Sequence, residues 1–239
     1  MQDQQFERMS LKDGVKAGWP ICIGYFPIGL AFGVLAQKAG LNLVEIGLMS
    51  TLVFAGSSQF IAVSMLTSGA AAFSIIATTF MVNLRHLLMS SSLAVYLPHS
   101  SRRFLTLFGY GVTDESFAVN LARFRNGGWH RYQALVVNHV ANAAWIVSTI
   151  IGGYSGAFIP AGSFGVDYAL SAMFLCLLVF QLRSRVYFIT AVLAGGFAVV
   201  FSLLLPGNVY VIIASLLAAT LGFSLQRWAG KGRVKHAGI

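Results

Sequence analysis

Apolar residues run along this chain in long blocks, and the blocks have the length of a bilayer. A hydrocarbon core about 30 Å thick takes about 20 residues of helix. Eight stretches reach or approach that length, at 17–37, 46–68, 73–97, 104–122, 132–151, 164–182, 186–205 and 208–226. Backbone groups in lipid have no water to bond, so the blocks predict helices; a barrel would instead alternate over segments of about ten residues. Charges and breakers separate the blocks. Lys38 to Glu45 divides the first two, and Pro98 to Arg103 ends the third. Arg123, Arg125 and Arg131 follow the fourth, Arg183 and Arg185 divide the sixth from the seventh, and Pro206-Gly207-Asn208 predicts a tight turn before the eighth.

Two of the blocks are polar in the middle. The second carries Gly56-Ser57-Ser58-Gln59, and the fourth carries Thr113-Asp114-Glu115-Ser116. Small and polar residues at mid-depth suit backbone that bends inside protein rather than facing lipid. The predicted fold is therefore an all-α membrane bundle of six full crossings plus two broken or re-entrant elements. Eight full crossings is the alternative the pattern leaves open. The six-crossing arrangement obeys the positive-inside rule better: with the N-terminus inside it leaves Lys38 alone on the outer side, whereas eight crossings would also put Arg102 and Arg103 there. Both place the two termini in the cytoplasm. A short internal match at a period near 56 aligns Ser57-Ser58-Gln59 with Thr113-Asp114-Glu115, and Met81-Val82-Asn83 with Val136-Val137-Asn138. In the six-crossing arrangement these units would be inverted repeats, a transporter signature with the site between them.

Composition agrees with the pattern: 57% of the 239 residues are hydrophobic and 10% charged, against about 25% charged in soluble domains. No polar linker interrupts the chain. The expected organisation is a cytoplasmic segment 1–16, one transmembrane domain 17–226 and a basic cytoplasmic tail 227–239. The net charge of +9 gathers at the ends of apolar blocks, which reads as membrane orientation and not as a nucleic-acid surface. The N-terminus mixes both charge signs without a short apolar region and cleavage site, so no cleaved leader is expected. Cys22 and Cys176 lie within apolar runs and read as small core residues.

Three charges sit where the pattern allows none: Arg85 within FMVNLRHLLM, and Asp114 and Glu115 within FGYGVTDESFAV. Each costs about 2.5–3.5 kcal/mol at the centre of a lipid-facing helix, so such residues face a bundle interior and mark substrate or ion pathways. Neighbours on a regular helix cannot both pair with one arginine, and adjacent buried carboxylates share protons as a coupled pair. That is the property a proton-coupled carrier needs; a buried ion pair that only fixes packing is the plainer alternative. His86 can change charge near neutral pH, and His139 lies with Asn138 and Asn142. Asn83, Asn120, Asn138, Asn142 and Gln59 are amides in apolar surroundings, which bond across helices or read a zwitterion. Gly29 and Gly33 form a GxxxG spacing for close helix approach, with Gly152, Gly153 and Gly156 expected to serve similarly. Pro20 and Pro27 allow kinks in the first helix, and Trp19, Trp129 and Trp228 suit interfacial anchors. No GxxxxGK[ST] run, nucleophile elbow or metal-ligand spacing occurs, so no ATP-driven transport, enzyme activity, cofactor or metal is expected.

Four stretches together resemble a known family. GWPICIGYFPIGLAFGVLAQKAGL, FAGSSQFIAV, NLRHLLMSSSL and GVTDESFAV are similar, in order and spacing, to signature segments of the AzlC-type branched-chain amino-acid permeases. The resemblance covers about residues 14–225. It implies a secondary transporter that exports branched-chain amino acids, sometimes methionine, across the bacterial inner membrane, together with a small AzlD-type membrane subunit as partner. By that likeness Gln59, Asn83, Arg85, His86, Asp114 and Glu115 fall on motif positions. The site expected here joins those residues to Ser57 and Ser58. Asp114 and Glu115 are the proton-responsive acids, Arg85 holds either the acids or a substrate carboxylate, and Gln59, Ser57 and Ser58 line the same cavity from the other repeat. A passive channel and a non-transporting membrane scaffold are the alternatives.

Overall fold

A computed structural model describes residues 2–159, 168, 175, 178–179, 182, 185–204 and 209–235 of the chain. The chain forms two compact units, Met1–Leu170 and Ser171–Ile239. The first contains α1 (Gln2–Lys38), α2 (Leu43–Leu52), α3 (Gly56–Thr67), α4 (Ala72–Ala94), α5 (Arg102–Tyr110), α6 (Asp114–Asn126) and α7 (Arg131–Gly156). The second contains α8 (Arg185–Leu204) and α9 (Val209–Lys235). Among the described residues there is no strand. Four helices are long and apolar enough to cross a membrane there: Leu11–Lys38, Ala72–Ala94, Arg131–Gly156 and Arg185–Leu204. The apolar block 164–182, Cys176 within it and the Pro206-Gly207-Asn208 turn lie outside the described residues, apart from isolated positions of the block.

The second and fourth apolar blocks are both interrupted helices. α2 stops at Leu52 and α3 starts at Gly56. Between them Phe54, 2% exposed, takes φ +38°, a left-handed conformation that costs a side-chain-bearing residue about 1–2 kcal/mol. α5 stops at Tyr110 and α6 starts at Asp114, with Thr113 as N-cap accepting the Ser116 N–H. The polar clusters read as the bends themselves lie just after them, in the first turn of each following helix.

The internal repeat exists at the level of elements but in a different register. α2, α3 and α4 begin at Leu43, Gly56 and Ala72; α5, α6 and α7 begin at Arg102, Asp114 and Arg131, each about 58 residues further on. The period near 56 came from matching residue types, which put Ser57 beside Thr113. Matching helix starts puts Ser57 beside Glu115, because turn lengths and not side-chain identity conserve the spacing.

α1 runs as one continuous helix through Pro20 and Pro27 and through the polar N-terminal segment. Its main partner is α7, and small residues set that contact. A Cβ on Gly33 would overlap the backbone of Thr149 and Gly153, and one on Gly152 would overlap the backbone of Leu30. A Cβ on Gly29 would instead overlap the Ser148 side chain. The GxxxG expectation thus corresponds to a seam where two backbones touch. In the second unit, Ala214, Ala218 and Gly222 of α9 form a stripe of small residues at helical spacing, and Gly222 lies against Thr190 of α8. α4 and α8 bury no residue of their most apolar windows, and α4 turns Phe73, Ile76, Phe80, Leu87 and Leu88 outward, as helices in contact with acyl chains do.

Gly33→Val forces two backbones apart, and overpacking of this kind costs about 1–3 kcal/mol or more. The expected result is a clear drop in melting temperature of the detergent-purified protein. Gly24→Ala, where a Cβ meets nothing within 4 Å, leaves the melting temperature unchanged or raises it.

Candidate functional site

Interrupting a helix within an apolar block strands backbone groups, and side chains of the neighbouring helices bond them or hold the side chains that do. Its buried face carries Asn138, Ala141, Asn142, Trp145, Ser148, Thr149 and Gly152, a stripe at helical spacing. At the α5–α6 break the carbonyl of Phe108 accepts Asn138 Nδ2 at 3.0 Å. Asn138 Oδ1 in turn accepts Asn120 Nδ2 at 2.9 Å, and Asn120 Oδ1 accepts Trp129 Nε1 at 3.1 Å. At the α2–α3 break Gln59 Oε1 accepts Trp145 Nε1 at 2.9 Å and the Ala55 N–H at 3.3 Å. Gln59 Nε2 donates to Ser50 Oγ at 3.2 Å, and Thr149 Oγ1 donates to the same Ser50 oxygen at 2.8 Å. A glycine admits the α7 side chain each time: a Cβ on Gly111 would meet Asn138 at 2.8 Å, and one on Gly56 would meet the Trp145 ring at 3.1 Å. The breaks also touch each other. Tyr110, the last residue of α5, donates its hydroxyl to the Thr51 carbonyl near the end of α2 and accepts Asn142 Nδ2 at 3.3 Å.

Around these breaks the charged residues assemble. Arg85, on α4, places Nη1 2.7 Å from Asp114 Oδ2 in the first turn of α6. Its Nη2 donates to Ser57 Oγ at 2.6 Å in the first turn of α3. The next serine, Ser58, donates to Asn83 Oδ1 at 2.5 Å, tying α3 to α4 one helical step away. Arg85 and Asp114 expose 32% and 41% of their side-chain surface, so the pair borders open space and is not sealed in a core. The Nε atom of Arg85 is buried and has no partner among the described residues. A guanidinium presents five donors in a fixed fork, and this one retains capacity for a further acceptor. Asp114 and Glu115 both occupy the first turn of α6, where the helix dipole favours negative charge.

The two acids take different partners, as their adjacency requires. Glu115 Oε2 accepts the hydroxyl of Tyr25 from α1 at 2.6 Å, and Thr113 Oγ1 lies 2.7 Å from the same hydroxyl. The structure therefore brings Arg85, Asp114 and Ser57 into direct contact, with Ser58 and Asn83 alongside. His86 is half-buried next to Arg85 and takes no hydrogen bond among the described residues. Gln59 is fully buried, with its amide engaged by protein groups at the α2–α3 break. Among the described residues no group of His, Cys, Asp and Glu could hold a metal ion.

Several participants carry no distinctive sequence signal. Tyr25 and Trp145 lie in apolar runs, where an aromatic reads as core, and Thr113 stands out only as one of the polar cluster and not as a helix cap. Trp129, read as an interfacial anchor, is half-buried: its indole nitrogen is held by Asn120, and the Arg123 guanidinium lies 5.4 Å from its ring centroid. Trp19, 60% exposed, remains on the surface. Cys22 is buried, as a core thiol, with Sγ 3.6 Å from the Val140 carbonyl.

Comparison with known proteins is informative at the level of sequence. The family described as AzlC protein matches residues 20–159. The chain is 29% identical to the inner membrane protein YgaZ of Escherichia coli (strain K12), covering 91% of each chain. It is 27% identical to the branched-chain amino acid transport protein AzlC of Bacillus subtilis (strain 168), over 82% of this chain and 78% of that one. It is 32% identical to an uncharacterized membrane protein of Archaeoglobus fulgidus, over 92% and 95%. No solved structure matches the chain.

A double-mutant cycle tests the pair at the centre of the site. Arg85→Gln and Asp114→Asn each leave the other charge unmatched and lower the melting temperature in detergent. The double variant loses less than the sum, with a coupling of about 1 kcal/mol; additive losses would mean that the two side chains do not pair in solution.

Proposed function

The chain belongs to the AzlC family, and on that premise we propose that it is the large subunit of a secondary transporter for branched-chain amino acids. The proposed direction is export across a bacterial inner membrane. Valine, leucine and isoleucine are the proposed substrates, with methionine as a further one, and a small AzlD-type membrane subunit is the proposed partner. The relative from Bacillus subtilis is named for branched-chain amino acid transport, and that name is the source of the substrate class.

The observation that carries the reading is the Arg85–Asp114 pair between the first turns of two interrupted helices. Broken helices beside charged groups within a repeated architecture are how transporters build sites for small zwitterions. In this reading Asp114 in its ionised form occupies the Arg85 guanidinium. Protonation of Asp114 weakens that pair and frees Arg85 to hold the carboxylate of the amino acid. Ser57, already bonded to Arg85, and Asn83 border the same space, and the fully buried Ser58 holds Asn83 there; His86 and Glu115 set the field around it. The aliphatic side chain rests on apolar walls at about 0.8 kcal/mol per buried methylene. Such walls discriminate weakly among homologous side chains, which fits a group of related substrates. The two repeats rock against each other to give alternating access, in a topology of six crossings, with α2–α3 and α5–α6 as the re-entrant elements and both termini in the cytoplasm.

The test is co-reconstitution of the chain with its small partner in proteoliposomes and measurement of radiolabelled valine, leucine and methionine flux. Uphill accumulation driven by an imposed pH gradient is expected. Asp114→Asn should abolish the pH-driven component while the protein still inserts normally. Flux that only ever runs downhill, whatever the pH gradient, would identify a passive channel and overturn the carrier reading.

A further inference from the structure

Tyr25 has no role in the cycle just described, yet it joins the two interrupted helices. It is 8% exposed, on α1, and its hydroxyl lies 2.6 Å from Glu115 Oε2 and 2.7 Å from Thr113 Oγ1. A phenol carries one proton and donates to one of these oxygens at a time. While Glu115 is ionised, the carboxylate is the stronger acceptor and takes that proton's hydrogen bond. Once Glu115 is protonated it becomes a donor to the phenol oxygen, and the phenol turns its own proton to Thr113 Oγ1. The phenol neither gains nor loses a proton; only the direction of its bond reverses.

Thr113 is the N-cap of α6. Its Oγ1 accepts the Ser116 N–H at 3.3 Å, and Ser116 Oγ accepts the Thr113 N–H at 2.9 Å. Thr113 Oγ1 has two acceptor sites, so the phenol proton joins the Ser116 amide there, and the Thr113 hydroxyl proton turns away from the phenol towards Ser116 Oγ, 3.4 Å off, which rearranges the cap. On its other side the Tyr25 ring meets Trp145 edge-on, with centroids 5.5 Å apart. The Trp145 indole holds Gln59, and Gln59 holds Ala55 and Ser50 at the α2–α3 break. A buried column thus runs from the cap of one interrupted helix to the clip on the other.

We propose that Tyr25 is a positioning residue that transmits the protonation state of Glu115 to the first turn of α6 and, through Trp145, to the α2–α3 break. The proposal rests on the transport reading, which supplies the reason for protons to reach this site. The titratable and charged groups that act on the Tyr25–Glu115 contact are Asp114 on α6, and Arg85 and His86 on α4. The side chains that α3 and α7 bring to the column are Gln59 and Trp145, which are uncharged.

The experiment follows amide hydrogen exchange in the segment 110–120 of the purified full-length chain, at about pH 4 and about pH 8, either side of the ordinary carboxylate range, after correction for intrinsic rates. In the wild type, protection of the α6 first turn changes between the two conditions. Tyr25→Phe keeps the ring against Trp145 and removes only the hydroxyl, so the pH-dependent change should vanish. Glu115→Gln, a permanently neutral donor, should show the acid pattern at both conditions. It decides the question if Tyr25→Phe fails to fold. A wild-type-like response in whichever of these variants folds would overturn the relay. In the reconstituted complex, Tyr25→Phe should lower maximal flux roughly tenfold or more, the scale of one charge-assisted hydrogen bond, with little change in KM. A wild-type complex that carries no amino acid would sink the transport reading and leave the exchange result standing. An unchanged exchange response would sink the relay even where transport is normal.

Discussion

A helix that stops inside a protein's apolar interior leaves carbonyl and amide groups with no water to bond, and the rest of this structure depends on how they are satisfied. Unpaired, each such group costs several kcal/mol in hydrocarbon. Two helices stop here, at Leu52 and Tyr110, and both restart within a few residues. Asn138 of α7 bonds the Phe108 carbonyl directly, while Trp145 and Thr149 of α7 hold Gln59 and Ser50, and Gln59 in turn accepts the Ala55 amide. α7 can do this only because it is held tightly against α1, where Gly33 and Gly152 leave no room for a Cβ. The glycine seam, the amide clips and the breaks are therefore one construction. Loosening the first would unsatisfy the last.

The same construction explains why charges are tolerated at this level. The first turns of α3 and α6 offer unpaired amides and the positive ends of helix dipoles. Asp114 and Glu115 sit at the second of these ends, and Arg85 from α4 spans the two through Asp114 and Ser57. Breaking one helix would give a binding niche. Breaking two, at similar spacing along the chain, gives a niche bordered by the first turns of both. In the proposed transporter the Arg85–Asp114 pair, which joins α4 to α6, is the link that protonation would weaken.

The Tyr110 hydroxyl at Thr51 and the Tyr25 ring on Trp145 add mechanical connections between the breaks. The first crosses directly between the two sets of three helices, and the second links α1 to α7. They make it hard for one interrupted helix to rearrange without the other, so a change at either site spreads to both.

Much of this was legible in the chain. Long apolar blocks gave the helices, since length and hydropathy suffice when the solvent is lipid. Gly56-Ser57-Ser58-Gln59 and Thr113-Asp114-Glu115-Ser116 pointed to interruptions within a few residues of the observed ones, because small polar residues suit backbone that bends inside protein, although eight unbroken crossings stayed open. Arg85, Asp114 and Glu115 stood out by their cost, and Gly29 and Gly33 by their spacing. Which acid meets Arg85 was not legible, for adjacency on a helix says only that the two must diverge. Nor were the roles of Tyr25 and Trp145: an aromatic residue in an apolar run looks like core until the orientation of its one polar atom is known. Gln59 looked like a cavity-lining amide, and only the packing of α7 shows its side chain bonded within the fold. The chain's composition fixed where polar groups had to be; the three-dimensional arrangement decided which of them bond to one another, because hydrogen bonds and ion pairs depend on distances that sequence separation does not encode.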